Sequence, residues 1–344
     1  MIPIILQFLI SAFVIVLAGS FLAKFSDRIA EETGLGRLLI GSVLLAGATS
    51  LPELMVDLNA IWLGEPDLAV GDLLGSSLFN LLILSVLDFA FPSDFRRTVF
   101  SPAFLHHGLM AMLSVLLTAI VGIGILTQLN TSLFGVSIFS WAILILYLLG
   151  LRLTYLEKDY PSFSRAESLE QHSSNVRPDF KTVIRKRSFI LALVGYCAAA
   201  ATILMAAPFL VRAANQIAQV SGLGQTFIGT TLVALATSLP ELISTLTAFR
   251  MGAPDLAIGN IFGSNTFNMV LFAPLDIFYP KVLFSSVKGI HAVTAFSVIT
   301  ATSVAVMGQL YRKKERSRFS EPSSEIVVVL VLAFMYLLYK TQVS

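Results

Sequence analysis

Two short segments of this chain place a carboxylate inside an otherwise apolar stretch. Residues 48–54 read Ala-Thr-Ser-Leu-Pro-Glu-Leu, and residues 236–242 repeat the same sequence. An ionisable side chain inside a membrane helix is costly to bury, so it indicates a function by default. Because Glu53 and Glu241 occupy matched positions in the two copies, we predict that both belong to one functional site.

Uncharged oxygen groups accompany these carboxylates in both copies. Ser76 and Asn80 are four residues apart, as are Ser264 and Asn268, so each pair shares one face of a helix. A set of carboxylate, hydroxyl and amide oxygens without histidine or thiolate suits Na+, Ca2+ or Mg2+ better than zinc or copper. The residues are Thr49, Ser76 and Asn80 in the first copy and Thr237, Ser264 and Asn268 in the second.

Each copy also carries a proline directly before its glutamate. Pro52 and Pro240 cannot donate a backbone hydrogen bond, and they disturb the helical turn that precedes them. Altered bonding can free carbonyls upstream, among them those of Ala46 and Ala234. In a membrane, freed carbonyls must find partners or line a hydrated cavity. We therefore expect these carbonyls to be available as ligands for a hard cation.

The composition is that of an integral membrane protein. Hydrophobic residues make up 56% of the chain, charged residues 13%, and the mean hydropathy is +0.83. Successive apolar runs of roughly 20 residues, without strand-like alternation, predict an all-α membrane protein rather than a barrel. We predict ten transmembrane helices at about 2–24, 36–62, 66–91, 102–125, 132–151, 188–213, 223–249, 254–280, 286–310 and 325–340.

The chain repeats itself with a constant offset of 188 residues, from Gly41 and Gly229 to Asn80 and Asn268. Each copy holds five predicted spans, and an odd number makes the second copy enter the bilayer from the opposite side. Such inverted-topology repeats are typical of secondary transporters, whose site lies between the repeats near the membrane midplane.

The predicted organisation is a five-helix repeat at 1–151, a cytoplasmic loop at 152–187 and a second five-helix repeat at 188–344. Lys and Arg concentrate in that loop and in the segment 312–318, and cytoplasmic loops carry such an excess. We therefore expect both termini to lie outside the cell.

The two motifs resemble the alpha-repeats of the sodium/calcium exchangers, within the calcium/cation antiporter superfamily. The resemblance covers residues 36–82 and 224–270. It implies that the first and sixth spans slide across the other eight, and that Glu53 and Glu241 are the central carboxylates shared by Ca2+ and Na+. The other oxygen ligands it implies are main-chain oxygens of Thr49 and Thr237, carbonyls of Ala46 and Ala234, and side chains of Ser76, Ser264, Asn80 and Asn268.

Two further carboxylates break the symmetry of the repeat. Asp72 corresponds to Asn260, and Asp57 corresponds to Thr245. The family usually carries Asn at the position of Asp72. We predict that Asp57 and Asp72 line a hydrated passage or cap a helix rather than bind the ion directly.

These features predict a secondary active antiporter that exchanges Ca2+ for Na+ by alternating access, with net movement of charge. Exchange against H+ and K+-dependent Na+/Ca2+ exchange remain open alternatives, and a cation channel is the alternative from a different class. We expect no enzymatic activity, no cofactor and no nucleic-acid partner, since neither a nucleophile motif nor a phosphate loop occurs. The expected setting is the lipid bilayer of the cell membrane, with the monomer as the working unit.

Overall fold

The computed structural model describes residues 2–34, 37–90, 107–157, 186–221, 234–310 and 322–343, and most of them are helical. A π-helical segment, Ile40–Leu45, lies between α2 and α3, and a two-stranded antiparallel hairpin of β1 (Ser132–Leu133) and β2 (Val136–Ser137) precedes α7. A short 3-10 helix, Leu283–Ser285, precedes α12. The helices are α1 (Ile2–Thr33), α2 (Arg37–Leu39), α3 (Ala46–Thr49), α4 (Leu51–Trp62), α5 (Pro66–Ala90), α6 (Gly108–Thr127), α7 (Ile138–Glu157), α8 (Lys186–Ser221), α9 (Ala234–Thr237), α10 (Leu239–Arg250), α11 (Pro254–Phe278), α12 (Ile290–Leu310) and α13 (Pro322–Val343).

Both copies of the repeated motif interrupt their helix at the serine before Leu-Pro-Glu. Ser50 separates α3 from α4 with φ −90° and ψ 2°, and Ser238 separates α9 from α10 with φ −78° and ψ 2°. Proline then falls in the first turn of the new helix, where its missing N–H costs no intrahelical bond. The two parts of the first motif meet at 43°, so the predicted disturbance at proline is confirmed there.

Helix α11 lies at the centre of the protein, whereas α1 and α8 lie at its periphery. In α11 89% of the apolar stretch is buried within the protein, against 22% in α1 and 17% in α8. Helix α11 packs on the π-helical segment, α5, α6 and α10, whereas α1 packs mainly on α8 and α10. Large apolar side chains such as Phe13, Leu191 and Met205 are exposed on the outer pair, as expected for a surface in contact with lipid.

The helical membrane architecture is confirmed, while the number of spans stays a prediction. Six of the described helices are long and apolar enough to cross a membrane, or seven if the bent segment Ile40–Trp62 counts as one. Helix also occurs within each of the three other predicted spans.

The fifth predicted span begins later than the sequence indicated. Residues 132–137 form a hairpin, and α7 starts only at Ile138. The hairpin turn holds Phe134 and Gly135 at φ 55° and 79°, the left-handed region that two-residue hairpin turns require. The predicted start at 132 is wrong, because the apolar residues Leu133, Phe134 and Val136 belong to the hairpin and not to the helix.

Other predicted boundaries shift because helices continue into polar sequence. Helix α1 extends past 24 to Thr33, and α8 extends past 213 to Ser221. Helix α7 likewise reaches Glu157, so the loop predicted at 152–187 begins later, and residues 158–185 lie outside the described part of the chain. The span predicted from 286 begins at Ile290, after the 3-10 helix.

Two histidine–aspartate contacts join the two halves of the chain. His107 Nε2 lies 3.1 Å from Asp255 Oδ1, and His291 Nε2 lies 3.0 Å from Asp67 Oδ1. The two aspartates are matched positions of the repeat, in the first turns of α11 and α5. A histidine of each half therefore contacts the first turn of a long helix in the other half.

A buried carboxylate, Asp276, fastens the hairpin to the end of α11. Its Oδ2 accepts hydrogen bonds from Ser137 N at 2.6 Å and Ser140 Oγ at 2.8 Å, and its Oδ1 accepts one from Leu283 N at 2.8 Å. The side chain is fully buried. Asp276 thus satisfies two backbone N–H groups at points where the chain leaves regular helix.

We expect Asp276→Ala to destabilise the folded protein by about 3 kcal/mol, because it leaves buried donors without an acceptor. Thermal unfolding of the purified protein in detergent, followed by intrinsic fluorescence, measures this loss. Glu65→Ala removes an exposed carboxylate and is the matched control. Equal unfolding temperatures for the two variants would contradict the structural role of Asp276.

Candidate cation-binding site

All ten residues predicted for the site lie in the protein interior. Each of them is 0% exposed, including both glutamates. Burial of so many polar groups among apolar helices requires partners, and the pattern of those partners defines the site. The residues are Ala46, Thr49, Glu53, Ser76, Asn80, Ala234, Thr237, Glu241, Ser264 and Asn268.

The helix breaks place both glutamates at the start of a helix. Glu53 lies in the first turn of α4, and Glu241 lies in the first turn of α10. The N-terminus of a helix carries a partial positive charge, which favours a nearby carboxylate. The same break therefore positions each carboxylate and lowers the cost of burying it.

The site is assembled from both halves of the chain. Ser50 Oγ donates to Glu241 Oε1 at 3.3 Å, across the two repeats. Thr49 Oγ1 and Ser264 Oγ lie 3.5 Å apart, and Ser76 Oγ and Thr237 Oγ1 lie 3.3 Å apart. These two threonine–serine contacts are mirror images in the repeat. The threonine of each motif thus meets the serine of the other half.

Several buried oxygens of the site accept no hydrogen bond from any described residue. They include both oxygens of Glu53, Oε2 of Glu241 and Oδ1 of Asn80. Neither polar atom of Asn268 has a partner within the described ranges. Buried polar groups are nearly always hydrogen-bonded, so a cluster of unpartnered acceptors indicates a ligand that supplies positive charge.

The available donors are oxygens of mixed type. Within the described ranges no three His, Cys, Asp or Glu side chains come close enough to hold a metal ion together. The carboxylates must therefore combine with hydroxyl, amide and main-chain oxygens to complete a coordination shell. Such neutral and charged oxygens together suit hard cations that take many oxygen ligands.

The expectation that proline frees the carbonyls of Ala46 and Ala234 from helical bonding is wrong, whereas their role as cation ligands stays a prediction. The Ala46 carbonyl accepts bonds from Ser50 N at 2.9 Å and Thr49 Oγ1 at 3.2 Å. The Ala234 carbonyl accepts the equivalent bonds from Ser238 N at 3.0 Å and Thr237 Oγ1 at 3.1 Å. The helical bond pattern continues as far as each serine, so proline does not free these two oxygens.

Other residues of the cluster were not predicted as site residues. Asn260 lies with its Oδ1 3.4 Å from Thr49 Oγ1, and Asn265 accepts a bond at 3.0 Å from Asn80 Nδ2. Ser50, the residue after Thr49 in the first motif, donates a hydrogen bond to Glu241. All three fall within the repeated segments, so the repeat itself was the signal that could have identified them.

Asp57 and Asp72 also lie at the site. Asp72 Oδ1 accepts a hydrogen bond at 3.3 Å from Thr237, a predicted site residue. Both aspartates are 0% exposed and lie in the second turn of α4 and of α5. The capping role that the sequence offered is wrong, because both residues lie beyond the first turn of their helix, and the hydrated passage stays a prediction.

Close backbone packing holds the two halves together beside the site. A Cβ atom at Gly263 of α11 would lie 2.4 Å from the carbonyl oxygen of Ser42, and one at Gly41 would lie 2.6 Å from that of Leu256. Glycine is required at these points because the backbones of α11 and the π-helical segment are in contact. Small residues allow such close approach between membrane helices.

We expect Gly263→Ala to destabilise the protein by about 1–3 kcal/mol, because the added methyl group must displace backbone atoms of the first motif. Thermal unfolding in detergent measures the change. Gly122→Ala is the matched control, since its added Cβ would sit 3.5 Å from Ala295 in ordinary contact. A Gly263→Ala variant as stable as the control would contradict the close packing.

An oxygen-lined cluster of buried carboxylates between apolar helices defines a membrane protein that handles cations. The model of the family described as "Sodium/calcium exchanger protein" matches residues 3–154 and 191–342. The chain belongs to this family. It is accordingly a multi-pass integral membrane protein of the Ca2+/cation antiporter class, and this class is one of transporters and not of enzymes.

Individual relatives agree with this assignment. The chain is 27% identical over 268 residues to inner membrane protein YrbG of Escherichia coli, covering 76% of each protein. It is 45% identical over 92 residues to the sodium/calcium exchanger MaX1 of Methanosarcina acetivorans, covering 26% of this chain and 25% of that one. The fold is similar to that of the sodium-calcium exchanger NCX_Mj, with a TM-score of 0.67, 19% identity, and 98% and 99% coverage of the two chains.

Proposed function

We propose that this chain is a secondary active antiporter that exchanges Ca2+ for Na+ at one site formed by Glu53 and Glu241. The observation that carries the proposal is the burial of both carboxylates with unpartnered oxygens, in the first turns of two mirrored helices. Two carboxylates balance the charge of one Ca2+ or of two Na+, so one site can hold either ion in turn.

The neutral oxygens around the carboxylates favour Na+ over H+ as the coupling ion. A proton needs only a titratable group, whereas Na+ must exchange its hydration shell for other oxygens. Thr49, Ser264, Ser76 and Thr237 supply hydroxyls in two mirrored pairs, and these groups do not titrate near neutral pH. Two mirrored pairs offer flanking positions for more than one small cation.

The number of charges at the site also determines whether transport moves net charge across the membrane. The carboxylates of Glu53 and Glu241 neutralise a bound Ca2+, and a third Na+ would leave one net positive charge. Each elementary charge that crosses the membrane couples transport to the membrane potential by about 2.3 kcal/mol per 100 mV. Exchange of three Na+ for one Ca2+, the stoichiometry that the family resemblance implies, is therefore expected to respond to voltage.

The proposed mechanism is alternating access, with ten spans in two inverted repeats. Helices α1 and α8 form the pair that slides, and the low burial of both supports this assignment. The remaining helices hold the site between the halves. We place the protein in the cell membrane as a monomer, with both termini outside, because of the distribution of Lys and Arg.

Exchange against H+ is the second candidate, and it rests on Asp57 and Asp72. Both are buried carboxylates beside the site, and either could bind a proton as transport proceeds. The Na+ proposal assigns coupling to the mirrored hydroxyls, whereas the H+ proposal assigns it to these two extra carboxylates.

Uptake of radioactive Ca2+ into proteoliposomes under separately imposed gradients distinguishes the candidates. We expect an outward Na+ gradient to drive rapid uptake with the pH clamped equal on both sides, and choline in place of internal Na+ to abolish it. Uptake driven by a pH gradient alone, with no response to Na+, would show that H+ is the coupling ion. Single-channel currents in planar bilayers would instead indicate a channel.

A further inference from the structure

One pair of neighbouring positions holds different residue types in the two halves of the protein. In the second half Asn260 Nδ2 donates a hydrogen bond to Thr245 Oγ1 at 2.9 Å, and another to Ser244 Oγ at 3.1 Å. This amide–hydroxyl pair is neutral and satisfies its own hydrogen bonds. The matched positions of the first half hold Asp57 and Asp72, so two carboxyl groups replace the neutral pair.

The carboxyl pair is buried and incompletely satisfied. Asp57 and Asp72 are both 0% exposed, and the two groups interact electrostatically. A hydrogen bond between the two carboxyl groups needs a proton on one of them. When both are ionised, no described residue donates a hydrogen bond to either oxygen of Asp57 or to Oδ2 of Asp72. The remaining oxygen, Oδ1 of Asp72, accepts a bond from Thr237 at 3.3 Å. Three of the four carboxylate oxygens therefore lack a donor among the described residues.

Two ionised carboxylates cannot satisfy each other, because each only accepts hydrogen bonds, and one shared proton would still leave a buried negative charge. Burying both without a counter-charge is costly, and no described Lys, Arg or His side chain forms an ion pair with either one. A divalent cation between them would neutralise the pair fully. Four carboxylate oxygens and the hydroxyls of Thr237 and Ser76, which lie 3.3 Å apart, are of the type and number that Ca2+ takes.

We propose that Asp57 and Asp72 bind a further Ca2+ ion, adjacent to the ion held by Glu53 and Glu241 and sharing the hydroxyls of Thr237 and Ser76 with that site. The unpartnered, fully buried carboxylate of Asp57 is the observation that points to a ligand. Thr237 connects the two sites, because its hydroxyl contacts Asp72 and its residue lies next to the break before Glu241. The proposal concerns binding alone and does not depend on which ion drives transport.

Equilibrium binding of radioactive Ca2+ to the purified full-length protein, in Na+-free buffer without a membrane gradient, tests this proposal. The chain itself supplies the matched variant: Asp57→Thr with Asp72→Asn gives the first half the pair found at Thr245 and Asn260. We expect the unsubstituted protein to bind about two Ca2+ ions and the double variant about one. The ion retained by the double variant also shows that this variant is folded.

Further variants make the two sites separable. Glu53→Gln with Glu241→Gln should remove one ion and leave the Asp57–Asp72 ion bound, and combining all four substitutions should remove both. The single substitution Asp57→Asn is nearly isosteric and should also remove one bound Ca2+ ion. It replaces the double variant in the experiment if the double variant fails to fold. If the unsubstituted protein and the Asp57→Asn protein bind equal amounts of Ca2+, the further site does not exist. Equal binding would indicate that Asp57 and Asp72 share a proton in place of a Ca2+ ion. It would not affect the proposal that Glu53 and Glu241 bind the transported ion.

Discussion

Replacing Glu53 with Gln is expected to stop Na+-driven Ca2+ uptake and to weaken Ca2+ binding at the central site by at least about 100-fold. Glutamine keeps the size of the side chain but removes the charge that balances the cation. Neither oxygen of Glu53 has a donor among the described residues, so its charge is the least compensated of the central pair. Uptake into proteoliposomes and equilibrium binding of radioactive Ca2+ measure the two effects.

The matched substitution Glu241→Gln is expected to abolish uptake as well, with a smaller loss of affinity. Glu241 keeps a hydrogen bond from Ser50 at 3.3 Å, and this partner remains available to an amide oxygen. Glu65→Gln changes an exposed carboxylate and controls for the loss of one negative charge. Uptake close to that of the unsubstituted protein by either purified central variant would exclude that residue from the transport site.

A disulfide between Gly19→Cys and Ile243→Cys is expected to stop exchange completely while Ca2+ binding persists. A Cβ atom on Gly19 would lie 3.4 Å from the Cβ of Ile243, and disulfides join Cβ atoms about 3.5–4.5 Å apart. The bond would fix α1 to α10, so the outer pair could not slide past the helices that hold the site. The exposed Cys197 is first replaced with Ala to prevent other disulfides.

The cross-linked protein supplies its own control, because a reducing agent should restore exchange to the level measured before oxidation. Each single-cysteine variant should be indifferent to oxidation. The neighbouring Pro240 carbonyl would lie 3.6 Å from the new Cβ, which is an ordinary contact, so the substitution leaves the motif undisturbed. Full exchange by protein whose disulfide is verified by mass spectrometry would contradict the sliding of α1.

The sequence predicted the central carboxylates and their burial because two physical signals coincide there. A charged residue within an apolar segment is costly, and an identical segment recurs 188 residues later. The helix break was equally predictable, since proline permits few alternatives. The hydrogen bond that Ser50 N donates to the Ala46 carbonyl was not predictable, because it depends on where the new helix begins.

Contacts between the halves could not be predicted from one sequence. Ser50 and Glu241 lie 191 residues apart in the chain, and their hydrogen bond depends on how the two motifs pack. The role of Asn260 is of the same kind, since its partners Thr49 and Thr245 come from both halves. The hairpin before α7 escaped prediction because its turn is short and Leu133, Phe134 and Val136 continue the apolar run of the helix that follows.

Competition between Na+ and Ca2+ in equilibrium binding tests the central claim most directly. The Ca2+ bound at the central site is the difference between the Ca2+ bound by the unsubstituted protein and by the Glu53→Gln variant. This difference is measured as NaCl replaces choline chloride in the buffer. We predict that Na+ displaces this Ca2+ with a Hill coefficient above 1, since at least two Na+ are needed to balance the charge of Glu53 and Glu241. K+ at the same ionic strength should leave it bound. Ca2+ that stays bound at every Na+ concentration would contradict a single site shared by the two ions.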